Sequence, residues 1–301
     1  LIRERIRRHG IECDAVEGGA LLANWFDDDR ILQRQQRLMA EHFGVHWQSI
    51  DRSELQAHVR TRRYSAALLE PDAFHFHPLK YAAGLAGAIA QAGARVHEDS
   101  PVVSVARAGG SWRVRTAEGE LRCEHLVVAG GGYLRALVPV LETAMLPIAT
   151  YVMATEPLGE RVREFIPSAA AIYDTRFAFD YYRVLPDTRI LWGGRIAVAQ
   201  RTPAAIAEFL RRDMLRVYPE LADVRITHAW GGLMSYARHK MPQVGRLTSG
   251  PATGAWHAQS FGGHGVAPTT VAGEALAAAI AEDRPLPEGL VRYGLPRTWG
   301  A

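Results

Sequence analysis

From Trp256 the chain reads Trp-His-Ala-Gln-Ser as an extended stretch. It then passes through Phe261-Gly262-Gly263-His264-Gly265 into a small-residue helix running from Pro268 to Glu282. A strand that turns through three glycines in four residues into a helix points to layered α/β architecture, because the helix must lie back across the sheet that its strand joins. The same turn leaves the first N–H groups of the helix without intrahelical partners at the positive end of its dipole, a setting suited to an anion or an electron-rich carbonyl. No Lys follows the glycines as a phosphate loop requires, which excludes a Walker A site. On spacing alone, an ordinary βα turn accounts for the same residues.

The preceding chain supplies the layers. Arg3 to His9 reads as a helix stopped by Gly10, and a strand pair is expected from Ile11 to Asp14 and onward through Ala23. Asp27 to Gly44 has a loose helical period, and Asp51 or Ser53 starts a further short helix. Pro78 opens a helix closed by Gly93. Strands are expected at Ala94 to Glu98, Val102 to Val105, Trp112 to Thr116 and Leu121 to Cys123, with Gly109-Gly110 and Glu118-Gly119 as turns in a β-meander. Leu126 to Ala129 is a short apolar run before Gly130-Gly131-Gly132, the pattern of a parallel strand buried on both faces. Longer strands follow at Met145 to Thr155, Phe177 to Leu185, Ile190 to Gly194 and Val224 to Gly232, a mostly antiparallel sheet, with a helix from Thr202-Pro203 to Val217 between the last two.

Charge and cysteine content exclude several classes. Lys+Arg total 35 against Asp+Glu 32, and Lys80 and Lys240 are the only lysines. Arginine therefore carries the positive charge everywhere, and no single Arg marks a phosphate site. The run Arg3-Glu4-Arg5-Ile6-Arg7-Arg8 reads as a solvated helix face, so no nucleic-acid partner is expected. Cys13 and Cys123 form neither a CxxC pair nor a disulfide framework, which favours a reducing, cytoplasmic setting. No run reaches the ~18 apolar residues of a transmembrane helix. His75 and His77 have HxH spacing without a third ligand nearby, so no metal is assigned.

The stretch FGGHGVAPTTVAGEALAAAI resembles the C-terminal flavin-binding segment of the FAD-dependent amino acid and amine oxidoreductases related to D-amino acid oxidase. HFHPLK with its helix, PVVSV, GSWRVRTAEGELRCEHLVVAGGG, YYRVLPDTRILWGGR and WGGLMSYARHKMPQVGRL resemble, in the same order, the branch that contains gamma-glutamylputrescine oxidases. The resemblance runs through nearly the whole chain. It implies FAD as cofactor, a small-molecule amine or amino acid as substrate, and a mixed α/β fold. Residues 75–144 and 251–284 would form a Rossmann-like FAD-binding domain. Residues 1–74 and 145–250 would form an interleaved antiparallel-sheet substrate domain, with 285–301 as a surface tail.

The same resemblance places Val102 at the adenine end, Ala129, Gly130 and Gly131 near the ribose and pyrophosphate, and Gly263, His264, Gly265 and Val266 at the flavin ring. His264 becomes the catalytic candidate, although it could equally serve to hold the glycine loop. Strand alternation puts Tyr181 and Arg183 on one face and Tyr182 on the other, and an Arg with a Tyr can hold a carboxylate. The family's first strand, its GxGxxG turn and the acidic residue after it do not occur in the sequence. Gly130 to Gly132 do not replace them, since no helix of a βαβ unit follows. The FAD domain is thus expected to lack its first βαβ unit, as in a fragment of a longer protein, with a preceding segment or a partner chain completing the site. The alternative is a catalytically incomplete paralogue or accessory subunit that binds a partner through an apolar seam beside Leu126 to Ala129.

Overall fold

The computed structural model describes residues 1–298. Its strands are β1 (Ala20–Ala23), β2 (Gln48–Ile50), β3 (Ala67–Glu70), β4 (Ser104–Ala108), β5 (Ser111–Arg115), β6 (Glu120–Cys123), β7 (Val127–Val128), β8 (Leu146–Thr155), β9 (Ala171–Asp174), β10 (Tyr181–Val184), β11 (Ile190–Ala197), β12 (Ile226–Tyr236), β13 (Gln243–Arg246) and β14 (Trp256–Gln259). The helices are α1 (Ile2–His9), α2 (Asp29–Phe43), α3 (Arg52–Leu55), α4 (Pro78–Gln91), α5 (Pro139–Thr143), α6 (Pro203–Val217), α7 (Val266–Ala281) and α8 (Glu288–Val291).

Local chemistry sets many of the ends. Asp28 accepts from the Arg30 N–H to start α2, and Gly44 at φ 64° stops it. Asp51 and Glu54 form a reciprocal capping box around α3. Thr202 accepts from the Ala205 N–H, with Pro203 in the first turn of α6.

Packing divides the chain into two compact units. One comprises residues 9–85 and 150–232; the other comprises 1–8, 86–149 and, among the described residues, 233–298. The sequence-based division instead changes at 74, 144 and 250. Residues 233–250 pack with the strand that follows them because β13 pairs with β14, Gln243 opposite Gln259.

The first unit is built on an eight-stranded sheet in the order β12-β8-β11-β10-β9-β1-β3-β2. β10 runs antiparallel to both β9 and β11, whereas β1 runs parallel to β9. Tyr182 points into the core, where it stacks on Trp192 at 4.2 Å and meets Tyr218 edge-on. Ile206, Leu210, Met214 and Val217 of α6 are buried, and such side chains contribute about 1.5–3 kcal/mol each on burial.

The second unit holds two three-stranded sheets, the predicted meander β4-β5-β6 and the sheet β13-β14-β7. β7 is parallel to β14, as its apolar run suggested, but it lies at a sheet edge and Val127 is 42% exposed, so it is not buried on both faces. Two further expectations fail. Ala94 to Glu98 form no strand and are exposed, and Ile11 to Asp14 form none either, the ladder there being the single Val16–His75 bridge. Alternation alone cannot supply the neighbouring strand that an extended run must pair with. Within the stretch read as a tail, Leu286 and Leu290 pack against Val244, Ala272 and Leu276, and residues 299–301 lie outside the described residues.

Candidate functional site

The glycine loop is held from beneath by a buried, neutral hydrogen-bond network. Ser260, the residue before the loop, is buried and adopts φ 62°, a left-handed conformation unfavourable for a residue with a Cβ. Its N–H donates to Ser235 Oγ at 3.0 Å and its hydroxyl donates to Gln243 Oε1 at 2.9 Å. Gln259 Nε2 donates to the same Oε1 and to the Leu141 carbonyl, both at 2.9 Å, while Gln243 Nε2 donates to the Ala144 carbonyl at 3.1 Å. His257 is buried beside them, with Nδ1 at 3.2 Å from the Gln243 carbonyl, and burial pushes its pKa below the ordinary value. The Gln243 amide makes three of these bonds and the Gln259 amide two, which fixes the strand end where the loop begins.

Above the network, Gly262 at φ 60° leaves room for the Tyr236 ring, and a Cβ on Gly263 would press on Met234 and Tyr236. Gly263, His264 and Val266 are exposed. Helix α7 then begins at Val266 with no side-chain cap on Gly265; Pro268 has no N–H, so the Val266 and Ala267 N–H groups are the ones this start offers a ligand.

The other candidates of this unit form a second exposed turn. Ala129 and Gly130 are exposed at the end of β7, Gly131 takes φ 51°, and Gly132 lets the turn close on the backbone of Leu233 and Met234. The Leu233 N–H donates to the Tyr133 hydroxyl at 2.9 Å. Val102 precedes β4 and is 38% exposed.

In the sheet unit, Tyr181 lies opposite Gly193 and Tyr173. A Cβ on Gly193 would overlap the Tyr181 ring, so glycine there makes the ring's position possible. Burial raises the Tyr181 hydroxyl pKa, against a hydrogen bond with Thr150, so it remains a phenol at neutral pH. The chain enters β10 through an ion cluster. Asp174 accepts from Arg176 N, Nε and Nη2 at 2.9, 2.9 and 2.5 Å and from Asp180 N at 3.1 Å. Asp180 Oδ2 accepts from Arg176 Nη2 at 2.6 Å, Asp180 Oδ1 has no partner, and desolvation pushes the Asp180 carboxyl up to about 6.

Arg183 shares the Tyr181 face by alternation, and two of its N–H donors are taken by neutral groups. Nη1 lies 2.6 Å from His75 Nδ1, and Nη2 donates to the Phe76 carbonyl at 2.8 Å. Because a guanidinium only donates, His75 Nδ1 is the acceptor and Nε2 carries the proton, which it donates to the Ala169 carbonyl at 2.9 Å. Burial, and secondarily Arg183, push His75 below its ordinary pKa, in keeping with this neutral tautomer. Sequence reasoning missed both the His75–Arg183 pair, 108 residues apart, and the Gln243–Gln259 pair. The available signal for the latter was a Gln in each of two successive short strands that precede the glycine loop in sequence.

A profile of the family described as FAD dependent oxidoreductase matches residues 1–279. Over 285 residues the chain is 33% identical to the gamma-glutamylputrescine oxidoreductase of Escherichia coli strain K12, covering 94% of this chain and 66% of that protein. It is 31% identical over 290 residues to the probable oxidoreductase OrdL of Haemophilus influenzae, covering 94% of this chain and 65% of that one. Thus it spans just under two thirds of the length of these curated relatives. The structure aligns with that of glycine oxidase from Geobacillus kaustophilus with a TM-score of 0.81 over 100% of this chain and 80% of the other, at 19% identity, a likeness of fold.

Proposed function

The chain belongs to the FAD-dependent oxidoreductase family, and from that premise we propose that it carries the flavin-ring and substrate-sheet portions of an enzyme that oxidises a C–N bond in an amine or amino acid. What carries this reading is the exposed glycine loop, fixed from below by Gln243 and Ser260 and leading into the uncapped start of α7. Those residues fit an FAD ring. A flat group needs close backbone approach, which Gly262 and Gly263 allow, and its electron-rich pyrimidine side suits free N–H groups at a helix start. The second exposed turn, Ala129 to Gly131, suits the ribose and pyrophosphate, with Val102 at the adenine end.

The chemistry that FAD supplies when bound is acceptance of a hydride from the carbon bearing the amine, after which water converts the substrate imine to a carbonyl compound and ammonia or an amine. The chain's own residues orient and enclose. Gly263, His264, Gly265 and Val266 hold the ring edge, His264 as part of that loop or as a proton carrier. Tyr181, a neutral phenol on a packed sheet, gives substrate a fixed hydroxyl and an apolar wall. The relative named for gamma-glutamylputrescine suggests an aliphatic amine as the first substrate to try.

Titration of the purified chain with FAD, followed by anaerobic addition of amines and amino acids, tests the reading. The expected result is a perturbed visible flavin spectrum that bleaches with one class of amine. A spectrum that stays that of free flavin overturns the assignment of residues 263–266 as a sufficient ring site. Bound flavin that no amine bleaches favours the second reading, a binding module, to which the exposed Val127 at the edge strand β7 lends support.

A further inference from the structure

The sheet unit contains a cavity of about 750 Å³, within the roughly 300–1,000 Å³ range of small-molecule sites. Asp14, Lys80, Arg163, Arg183 and Asp187 supply its charged lining, with His75 and His77 beside them, whereas Val162, Ile166, Pro167 and Leu185 form an apolar wall. Tyr181 is not among the lining residues.

The charges around this cavity are matched, with one exception. Lys80 Nζ sits 2.9 and 2.8 Å from the two Asp14 oxygens. Arg189 Nε lies 2.8 Å from Asp187, and Arg163 lies 3.4 Å from Glu160. Arg183 alone among the lining cations makes its hydrogen bonds to neutral acceptors, His75 Nδ1 and the Phe76 carbonyl, and Asp14, already in contact with Lys80, attracts it without a hydrogen bond. Those two bonds use one proton on each terminal nitrogen and fix the guanidinium plane, leaving further N–H donors of the fork without a protein acceptor. A half-buried cation whose hydrogen-bond partners are all neutral is a site for an anion that brings its own charge.

We propose that this cavity binds a small aliphatic carboxylate, its carboxylate on the Arg183 fork and its hydrocarbon body against Val162, Ile166 and Leu185. One cation without a carboxylate in hydrogen-bond contact favours a monoanion. A phosphate dianion would require a second such cation, and its higher charge would meet stronger repulsion from Asp14 and Asp187, which also line the cavity. His75 acts as a positioning residue, bracing the guanidinium between the Ala169 carbonyl and the cavity. The inference goes beyond the flavin reading, because binding here is measured without turnover.

The test is calorimetric titration of the full chain with hexanoate, with hexylamine as a probe of the same body and opposite charge, and with inorganic phosphate. Saturable one-site binding of hexanoate is expected, with hexylamine and phosphate weaker. Arg183→Gln should weaken hexanoate by about tenfold or more, and Arg183→Lys should recover part of that, since an ammonium keeps the charge but not the fork. Hexylamine or phosphate binding as tightly as hexanoate, or unchanged binding in Arg183→Gln, overturns the proposal. Should Arg183→Gln fail to fold, amide exchange of the unsubstituted chain decides. Slowed exchange at residues 162–169 and 184–188 on adding hexanoate supports the site, and its absence there refutes it.

Discussion

Two buried polar clusters hold the elements that carry the candidate sites, one with neutral groups and the other with ions. Beneath the glycine loop, Gln243, Gln259, Ser260 and Ser235 exchange hydrogen bonds with one another and with two carbonyls. At the entry to β10, Asp174, Arg176 and Asp180 form a charged knot over the Trp25 ring, with Arg176 3.6 Å above it. A neutral, satisfied network fixes a backbone without responding to pH in the physiological range. A charged one fixes it more strongly but incurs desolvation, and here the cost is visible as the unpartnered Asp180 Oδ1. The glycine loop and strand β10 thus rest on supports that should fail in different ways.

The largest expected effect is on the charged side. Asp174→Ala removes four hydrogen bonds and leaves Arg176 with Asp180 as its remaining carboxylate. Breaking a buried pair from one side costs about 3–5 kcal/mol, and urea unfolding of the variant should show a loss of that order. A loss no larger than that of a surface Asp would mean that the knot is hydrated and the comparison mistaken.

Next comes Gln243→Leu, which leaves Ser260 Oγ and the Ala144 carbonyl without their partners and strips Gln259 of one acceptor. Each group left unsatisfied costs about 1–3 kcal/mol. Beyond a lower midpoint in thermal unfolding, the variant should bind FAD more weakly, because Ser260 no longer holds its left-handed conformation firmly. Destabilisation with unaltered FAD affinity would detach the network from the loop it underlies.

The two supports were unequally legible in the sequence. Helix ends such as Asp51 or Ser53, Thr202-Pro203 and Gly44 were readable because capping is local chemistry, satisfied within a few residues. The meander and the glycine loop were readable for the same reason, their turns being written into adjacent residues. Strand partners were not. Ala94 to Glu98 had the composition of a strand and found no neighbour, while Val127 had the composition of a buried strand and ended at an edge. Arg183 shows the same limit at a site. Alternation placed its Cβ on the Tyr181 face, but only the long-range return of His75 and Phe76 decided where its charge went. That return, unlike a cap, depends on register between segments distant in sequence.

The smallest effect separates the supports most cleanly, since it is a slope and not an overall loss. Asp180 has an ordinary pKa of 3.8 and is pushed up to about 6 in the folded chain, mainly by desolvation and against the attraction of Arg176. Between those values the folded state binds more protons than the unfolded one, so the carboxyl's contribution to stability is full below the lower value and is lost as pH rises through the higher. Asp180→Asn keeps an acceptor oxygen and cannot titrate. The unfolding free energy of the unsubstituted chain should therefore fall, relative to that of Asp180→Asn, as pH rises from about 4 to about 7, and the difference should stay level above that. Over the same range the difference between the unsubstituted chain and Gln243→Leu should be flat, because none of Gln243, Gln259, Ser260 and Ser235 titrates. Parallel curves for Asp180→Asn would show that Asp180 stays ionised throughout, held by Arg176 strongly enough to offset its burial. A slope in Gln243→Leu would draw His257, the titratable neighbour in that network, into the support of the glycine loop.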